Sequence, residues 1–274
     1  MEWADKDKCP PPAYKGHDCT GEHKMKLTCL CMYHGRNWCL PEAVESYLRQ
    51  LPAIGVETEL LILSDIPEQT VICDLPTVRV VNVPRYPDMA LKQNDGVRMA
   101  EGDWVLLWDD DDICLPWRVQ VMAQCMAFFP TARALATSRA WYSETDVLLN
   151  IASNLFAGSM LVERDFYLVC GGSPLGVRGA DRGAWFAFPP EMTQRVAHAD
   201  ADIPYIYRWD RTFAHDSGLL EQWPHNATLR SNAFHSRIVG DLRFRPGEWR
   251  VEPQWKRDYV ADVRAALREG RETL

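Results

Sequence analysis

The stretch GDWVLLWDDDDICLP, residues 102–116, runs five apolar residues into four consecutive aspartates, Asp109, Asp110, Asp111 and Asp112. Like charges set side by side repel one another, so the arrangement needs a compensating cation. Three chemistries compete. A calcium loop of the EF-hand kind fails on position: counted from Asp109, the sixth residue is Cys114 rather than glycine and the twelfth is Gln120 rather than glutamate. A solvated acidic turn is the plain reading, because turns favour aspartate, yet four of them directly behind WVLLW are costly without a cation. The third reading is a divalent-metal and nucleotide site. Carboxylates at a strand end hold Mg²⁺ or Mn²⁺ through one or two oxygens, and ligand phosphates complete the octahedron. The metal then offsets both the aspartates and a diphosphate.

The elements around this loop must place it at a strand end. MKLTCLCMY (25–33) reads as a buried strand, and VETELLILSD (56–65) as a second that ends in a carboxylate. TVRVVNVP (77–84) is a third, stopped by Pro84, and DWVLLW (103–108) a fourth. Between them LPEAVESYLRQL repeats Ala43, Val44, Tyr47, Leu48 and Leu51 at helical spacing behind Pro41, and MALKQNDGVRMAEG (89–102) reads as a helix ended by Gly102. Apolar strands alternating with helices predict a parallel sheet covered on both faces, an α/β nucleotide-binding layout. Ligands of such sheets gather at the carboxyl ends of the strands, where Tyr33, Asp65 and Asp109 fall. Beyond lie a helix over 116–129, a strand over 134–143, and a strand with a short helix over 159–172. A terminal helix is expected over 251–270, with Pro253 at its start and Trp255, Tyr259, Val263 and Leu267 along one side.

At 274 residues the chain holds one large domain or two small halves, and 47% hydrophobic with 25% charged residues is ordinary for a soluble globular protein. No apolar run is long enough for a membrane span and MEWADKDKCPPP lacks a signal-peptide core, so a cytoplasmic protein is expected. The net charge of −8 argues against indiscriminate nucleic-acid binding, but residues 225–274 are about +3 and the remainder about −11. Nine scattered cysteines suit a reducing compartment. Cys9, His17, Cys19 and His23 are zinc-ligand types at a spacing that matches no common finger, and an ordinary loop is the expectation there.

LTCLCMYHGRNWCLPEAVESYLRQ, VETELLILSD, LKQNDGVRMAEGDWVLLWDDDDICLPWRV and GADRGAWF, in this order, resemble the family-two glycosyltransferases of GT-A fold. The similarity runs from residue 25 to about 218, with Asn94 ahead of Asp109 and AEGD between them. It implies an α/β fold, a Rossmann-like and mostly parallel central sheet flanked by helices, with a C-terminal helical and loop extension. The expected division is an extension over 1–24, a nucleotide-sugar half over 25–112, an acceptor and catalytic half over 113–224, and a basic, aromatic extension over 225–274.

The resemblance also implies roles. Asp109-x-Asp111 matches the family's Asp-x-Asp motif, Asp109 with Asp110 facing the ribose and Asp111 binding the metal, while Asp112 braces the loop or caps the next helix. Tyr33 would lie against the nucleobase, Asp65 would accept a base N–H, and Lys92, Asn94 and Arg36 would stand near the nucleotide. His215, within YRWDRTFAHDSG, is the candidate third metal ligand beside Asp109 and Asp111. Asp181, after a glycine-rich turn and opening a helix, is the candidate base for an inverting transfer, although this chain has Ala180 where the family more often has glutamate. The implied activity moves a sugar from a nucleotide-diphospho-sugar, UDP-linked by preference, with Mn²⁺ or Mg²⁺, to an acceptor hydroxyl. The acceptor would be a glycan or, because cations and aromatics interleave from Asn232 onward, a hydroxymethylated base in DNA. A nucleotidyltransferase on the same sheet and a catalytically silent nucleotide-binding module are the alternatives. The oligomeric state stays open.

Overall fold

The structure, a computed structural model, describes residues 24–144, 147–176, 180–209 and 246–270. In chain order its first half comprises β1 (Met25–Tyr33), α1 (Leu40–Leu48), β2 (Val56–Ser64), β3 (Gln69–Ile72), β4 (Val78–Asn82), α2 (Met89–Met99), β5 (Trp104–Leu107) and β6 (Ile113–Cys114). The second comprises α3 (Arg118–Phe128), β7 (Ala134–Thr137), β8 (Arg139–Glu144), β9 (Val147–Ser153), β10 (Leu161–Glu163), α4 (Arg164–Val169), α5 (Ala180–Ala187), β11 (Thr193–Val196), β12 (Tyr205–Trp209), β13 (Gly247–Arg250) and α6 (Tyr259–Arg268).

Seven strands form the main sheet in the order β11-β7-β10-β5-β1-β2-β4. β1 pairs parallel with β2 and β5, and β2 with β4, while β10 runs antiparallel between β5 and β7. Successive residues of a strand point to opposite faces. Leu27, Cys29, Cys31 and Tyr33 therefore share one core with Leu60, Ile62 and Leu106, under Leu40, Ala43 and Val44 of α1 and Val119 and Met122 of α3. Leu30, Leu61, Val105 and Leu107 share the other, under Val97 of α2, Tyr167 of α4 and Ala184 and Trp185 of α5. Covering both faces is what makes these strands apolar throughout. The register sets Tyr33 opposite Ser64 and Leu30 opposite Leu107, so the residues that follow β1, β2 and β5 emerge along one edge.

A second sheet, ordered β6-β12-β8-β9, lies beside the acidic loop and carries its own core. There Ile113, Trp141, Ile151 and Ile206 pack against Trp255, Tyr259, Val263 and Ala266. The strand expected over 134–143 is therefore two strands. Ser138 ends the first, its N–H donating to Val196 at 2.8 Å, and β8 leaves for the second sheet. β13 pairs parallel with β3 in a small third sheet.

Three boundaries depart from the sequence pattern. The terminal helix starts at Tyr259 rather than 251, capped by Asp258, whose carboxylate accepts the Ala261 N–H at 3.0 Å. Val251 ahead of it continues the β13 pairing, its N–H donating to Ile72 at 2.9 Å, and residues 252–258 are irregular. Leu48 and Leu51 are exposed, since α1 stops at Leu48. α2 ends at Met99, so Gly102 is not its cap.

Gly102 is required for another reason. Its N–H donates to Thr28 Oγ1 at 2.9 Å, and a Cβ there would lie 2.5 Å from the Thr28 nitrogen and 2.8 Å from the Trp104 carbonyl oxygen. Both are backbone atoms of central strands, which cannot move aside cheaply. Gly102→Ala is expected to destabilise the fold by about 1–3 kcal/mol, the range for overpacking. A urea midpoint equal to wild type would refute that.

Candidate functional site

The acidic loop leaves β5 through Trp108, whose N–H donates to Leu30 at 2.8 Å and whose indole N–H donates to Ala43 at 3.0 Å. Asp110, Asp111 and Asp112 are then buried, at 1%, 6% and 1% exposure. Their charge is met in two ways. The Arg36 guanidinium forks onto Asp110 and Asp111 together, and the His34 N–H adds a bond to Asp110 at 3.1 Å. Burial alone would lower the Arg36 pKa, but these two carboxylates hold it above its ordinary value. Asp112 is met by hydrogen bonds, and its charged form is disfavoured. Burial, with the neighbouring Asp111 charge, pushes its pKa up to about 8. Its Oδ1 accepts the Arg208 N–H at 2.7 Å, and its Oδ2 accepts the Tyr205 hydroxyl. It therefore braces β12 and does not cap α3, whose N-cap is Trp117.

Asp109 faces the same hydroxyl, at 3.4 Å, and the turn 157–159. A Cβ on Gly158 would come within 2.1 Å of Asp109 Oδ2, so only glycine leaves that carboxylate its place. Among the described residues no three His, Cys, Asp or Glu side chains converge as a metal-holding group. Asp109 and Asp111 nevertheless offer hard oxygen donors, the type Mg²⁺ and Mn²⁺ take one or two at a time beside phosphates. His215 lies outside the described residues, as do Cys9, His17, Cys19 and His23.

The ends of β1 and β2 are tied together by Lys92. This buried side chain donates to Asp65 Oδ1 at 2.6 Å and to the Tyr33 carbonyl. Burial lowers its pKa, and Asp65 works against that. Asp65 also accepts the Tyr86 N–H at 3.1 Å. Tyr33 is buried, its hydroxyl donating to Asn37 and, at 2.9 Å, to Gln69, with the Trp249 ring 6.0 Å away at 34°. Strand pairing between β13 and β3 brings Trp249 there. His34 sits among Arg36, Lys92, Asp110 and Asp65, and burial, then the two cations, pull its pKa down to about 4. It is neutral at physiological pH.

Asn94 bonds to a different set of groups. Its Oδ1 accepts the Tyr167 hydroxyl and the Ser173 N–H, each at 2.8 Å, and its Nδ2 donates to the Ser173 carbonyl at 3.0 Å. Gly172 must be glycine here: its φ is +69°, and a Cβ would lie 2.4 Å from Asn94 Oδ1. The Ser173 hydroxyl then donates to the Ala180 carbonyl at 2.8 Å. Asn94 thus fixes the turn that leads into α5, where Asp181 occupies the first turn. The Asp181 side chain lies outside the described ones. Trp185, further along the same helix, is core.

No family model matches the chain. It is 30% identical over 105 residues to the uncharacterized glycosyltransferase YwdF of Bacillus subtilis (strain 168). That match takes in 36% of this chain and 38% of YwdF, so the chain spans well under half of this relative. The structure superposes on S. aureus TarS 1–349 in complex with UDP-GlcNAc with a TM-score of 0.53 at 13% identity, covering 80% of this chain and 71% of TarS 1–349. For the UDP complex of the same protein the TM-score is 0.51, at 13% identity and covering 80% and 70%. The chain has the GT-A glycosyltransferase fold. Within this GT-A sheet the edge formed by the ends of β1, β2 and β5 gathers Tyr33, Arg36, Asp65, Lys92 and Asp109 to Asp112, whereas Asn94 is turned to the α5 side.

Several residues of this arrangement escaped the sequence. Gly158, Tyr205 and Glu42 carried no motif, and neither did Arg208, which is buried against the loop with its Nε donating to the Asp111 carbonyl. The small-residue run Ala157-Gly158-Ser159 was the one visible hint that the chain passes close to something.

The raised pKa of Asp112 has a definite sign. Its stabilising contribution is complete below the unfolded carboxylate value and is lost as pH rises towards about 8. Asp112→Asn removes that dependence while keeping the shape. The melting temperature of Asp112→Asn minus that of wild type should therefore rise between pH 5 and pH 9. A flat difference would show that Asp112 is ionised throughout.

Proposed function

We propose that the chain is a metal-dependent glycosyltransferase that moves a sugar from a UDP-linked donor to an acceptor hydroxyl, with inversion. The observation that carries the reading is the Asp109–Asp112 loop at the end of β5, with Arg36 closed over Asp110 and Asp111, beside Tyr33, Asp65 and Lys92. The named activity of YwdF and the UDP and UDP-GlcNAc complexes of TarS support the same class and donor.

In this reading Asp109 and Asp111 hold the metal, with His215 as a third ligand, and Asp109 with Asp110 meets the ribose. A bound Mg²⁺ or Mn²⁺ neutralises charge that grows on the departing diphosphate. Tyr33 and Asp65 border the nucleobase, Asp65 accepting a base N–H. Arg36 offers the guanidinium fork suited to phosphate oxygens. Asn94 acts through the Gly172–Ser173 turn by placing α5, and Asp181 on that helix takes the acceptor proton as the new bond to the anomeric carbon forms.

The acceptor in this reading is a glycan or a hydroxymethylated base in DNA, and among the described C-terminal residues several cations already have partners within the chain. Arg250, Lys256 and Arg257 pair with Asp74, Glu42 and Asp262, and Trp255 is buried with its indole N–H on Ser46.

The test is UDP release from a panel of nucleotide-sugars with Mn²⁺, Mg²⁺ or EDTA. Metal-dependent release from one donor is expected, reduced about a hundredfold or more in Asp111→Ala, as for other losses of charge stabilisation in a transition state. Binding without any release would leave a silent nucleotide-binding module. No release and no thermal shift from UDP plus metal would discard the reading altogether.

A further inference from the structure

Glu42 lies in the first turn of α1, 1% exposed, and takes no part in the roles above. Its Oε1 accepts the Tyr259 hydroxyl at 2.6 Å and the Lys256 N–H at 3.1 Å. Its Oε2 accepts Arg208 Nη1 at 2.5 Å, with Lys256 Nζ at 3.4 Å. Arg208 in turn donates from Nε to the Asp111 carbonyl and from its backbone N–H to Asp112 Oδ1. One buried carboxylate thus joins the C-terminal segment on one side to the acidic loop on the other.

Docking α6 does not by itself call for a charge. Trp255, Tyr259, Val263 and Ala266 already pack against the second sheet, and a buried ion pair is often no more stabilising than apolar residues of the same volume. What the ion pair supplies is direction. Arg208 is held at three points, so the Asp111 carbonyl and the Asp112 carboxylate are fixed relative to α1 and α6. Burial would raise the Glu42 pKa, but Arg208 and the Tyr259 hydroxyl outweigh it and hold the carboxyl below its ordinary range.

We infer that Glu42 is a positioning residue of the donor site: acting through Arg208, it sets the Asp109–Asp112 loop, and the Tyr259 hydroxyl at the start of α6 holds it in place to do so. The half of this inference that concerns donor rests on the glycosyltransferase reading; the half that concerns the loop does not. Hydrogen exchange in the peptide spanning 108–114 of the ligand-free chain tests the loop directly, and donor kinetics test the consequence. Glu42→Gln keeps the shape but faces Arg208 with an amide, and Tyr259→Phe removes one hydroxyl at the far end while keeping the ring.

Both variants should exchange faster in that peptide. Donor KM should rise about tenfold or more, the usual effect of losing a residue that orients metal ligands, with kcat changed less. Ser46→Ala is the structural control. It removes the acceptor of the Trp255 indole N–H, so it should lower the melting temperature while leaving loop exchange and KM as in wild type. Tyr259→Phe carries the test if Glu42→Gln fails to fold. Wild-type exchange in the variants, or equal acceleration in Ser46→Ala, overturns the inference. Faster loop exchange in a chain whose wild type turns over no nucleotide-sugar keeps the positioning and discards the glycosyltransferase reading.

Discussion

Four adjacent carboxylates at the end of a buried strand cannot all keep their charge unanswered, and the neighbourhood of β5 is built around answering it. Asp110 and Asp111 share the Arg36 guanidinium, Asp112 accepts the Tyr205 hydroxyl and the Arg208 N–H while burial raises its pKa, and Asp109 sits against the Tyr205 hydroxyl and the bare Cα of Gly158. Each answer comes from a different part of the chain: the segment between β1 and α1, strand β12, and the turn after β9. The loop is therefore a product of tertiary assembly. Beneath it Arg118 lies fully buried, 5.2 Å from the Tyr205 ring and 5.0 Å from Trp108, adding positive potential under the same hydroxyl that serves Asp109 and Asp112.

The strands that carry this loop were legible because burial on both faces writes continuous apolar runs. β1, β2, β4 and β5 fall within a residue or two of the expected limits. β3 and β6, of four and two residues, were not legible, because so short a strand exists only through a partner far away in sequence. The terminal helix was drawn too long for a related reason. Trp255 fits the helical stripe, but it lies in the irregular stretch between β13 and Tyr259, where it is buried without being helical. Helical periodicity records which side chains are buried, and an extended chain that buries the same residues writes much the same pattern.

Within the site, residue types at strand ends were readable and their partners were not. Tyr33, Asp65 and Asp109 fall at the strand ends where the pattern placed them, yet nothing local says that Lys92 of α2 is buried on Asp65 and the Tyr33 carbonyl. Asn94 is the clearest case. Its place in LKQND suggested nucleotide contact, while its hydrogen bonds run to Tyr167 and Ser173 and so to the approach of α5. Side-chain networks joining segments remote in sequence leave no periodic trace, and an amide is as ready to hold a turn as to hold a ligand.

The preformed fork of Arg36 sets a thermodynamic condition on the proposed chemistry. A divalent cation arriving alone at Asp111 would compete with a guanidinium already bonded there and would leave that buried arginine without its carboxylates, an expensive outcome. A diphosphate arriving alone would bring further negative charge beside Asp109 and Asp110. Arriving together, the cation would be held by the carboxylates and the diphosphate would meet the fork, so every charge would keep a partner. The two ligands must then favour each other, by an equal factor in either order of binding. Neutral His34 adds no charge to this exchange, and Lys92 remains committed to Asp65. In the proposed chemistry, the guanidinium that answers Asp110 and Asp111 in the ligand-free chain would thus be the group that favours joint arrival of donor and metal.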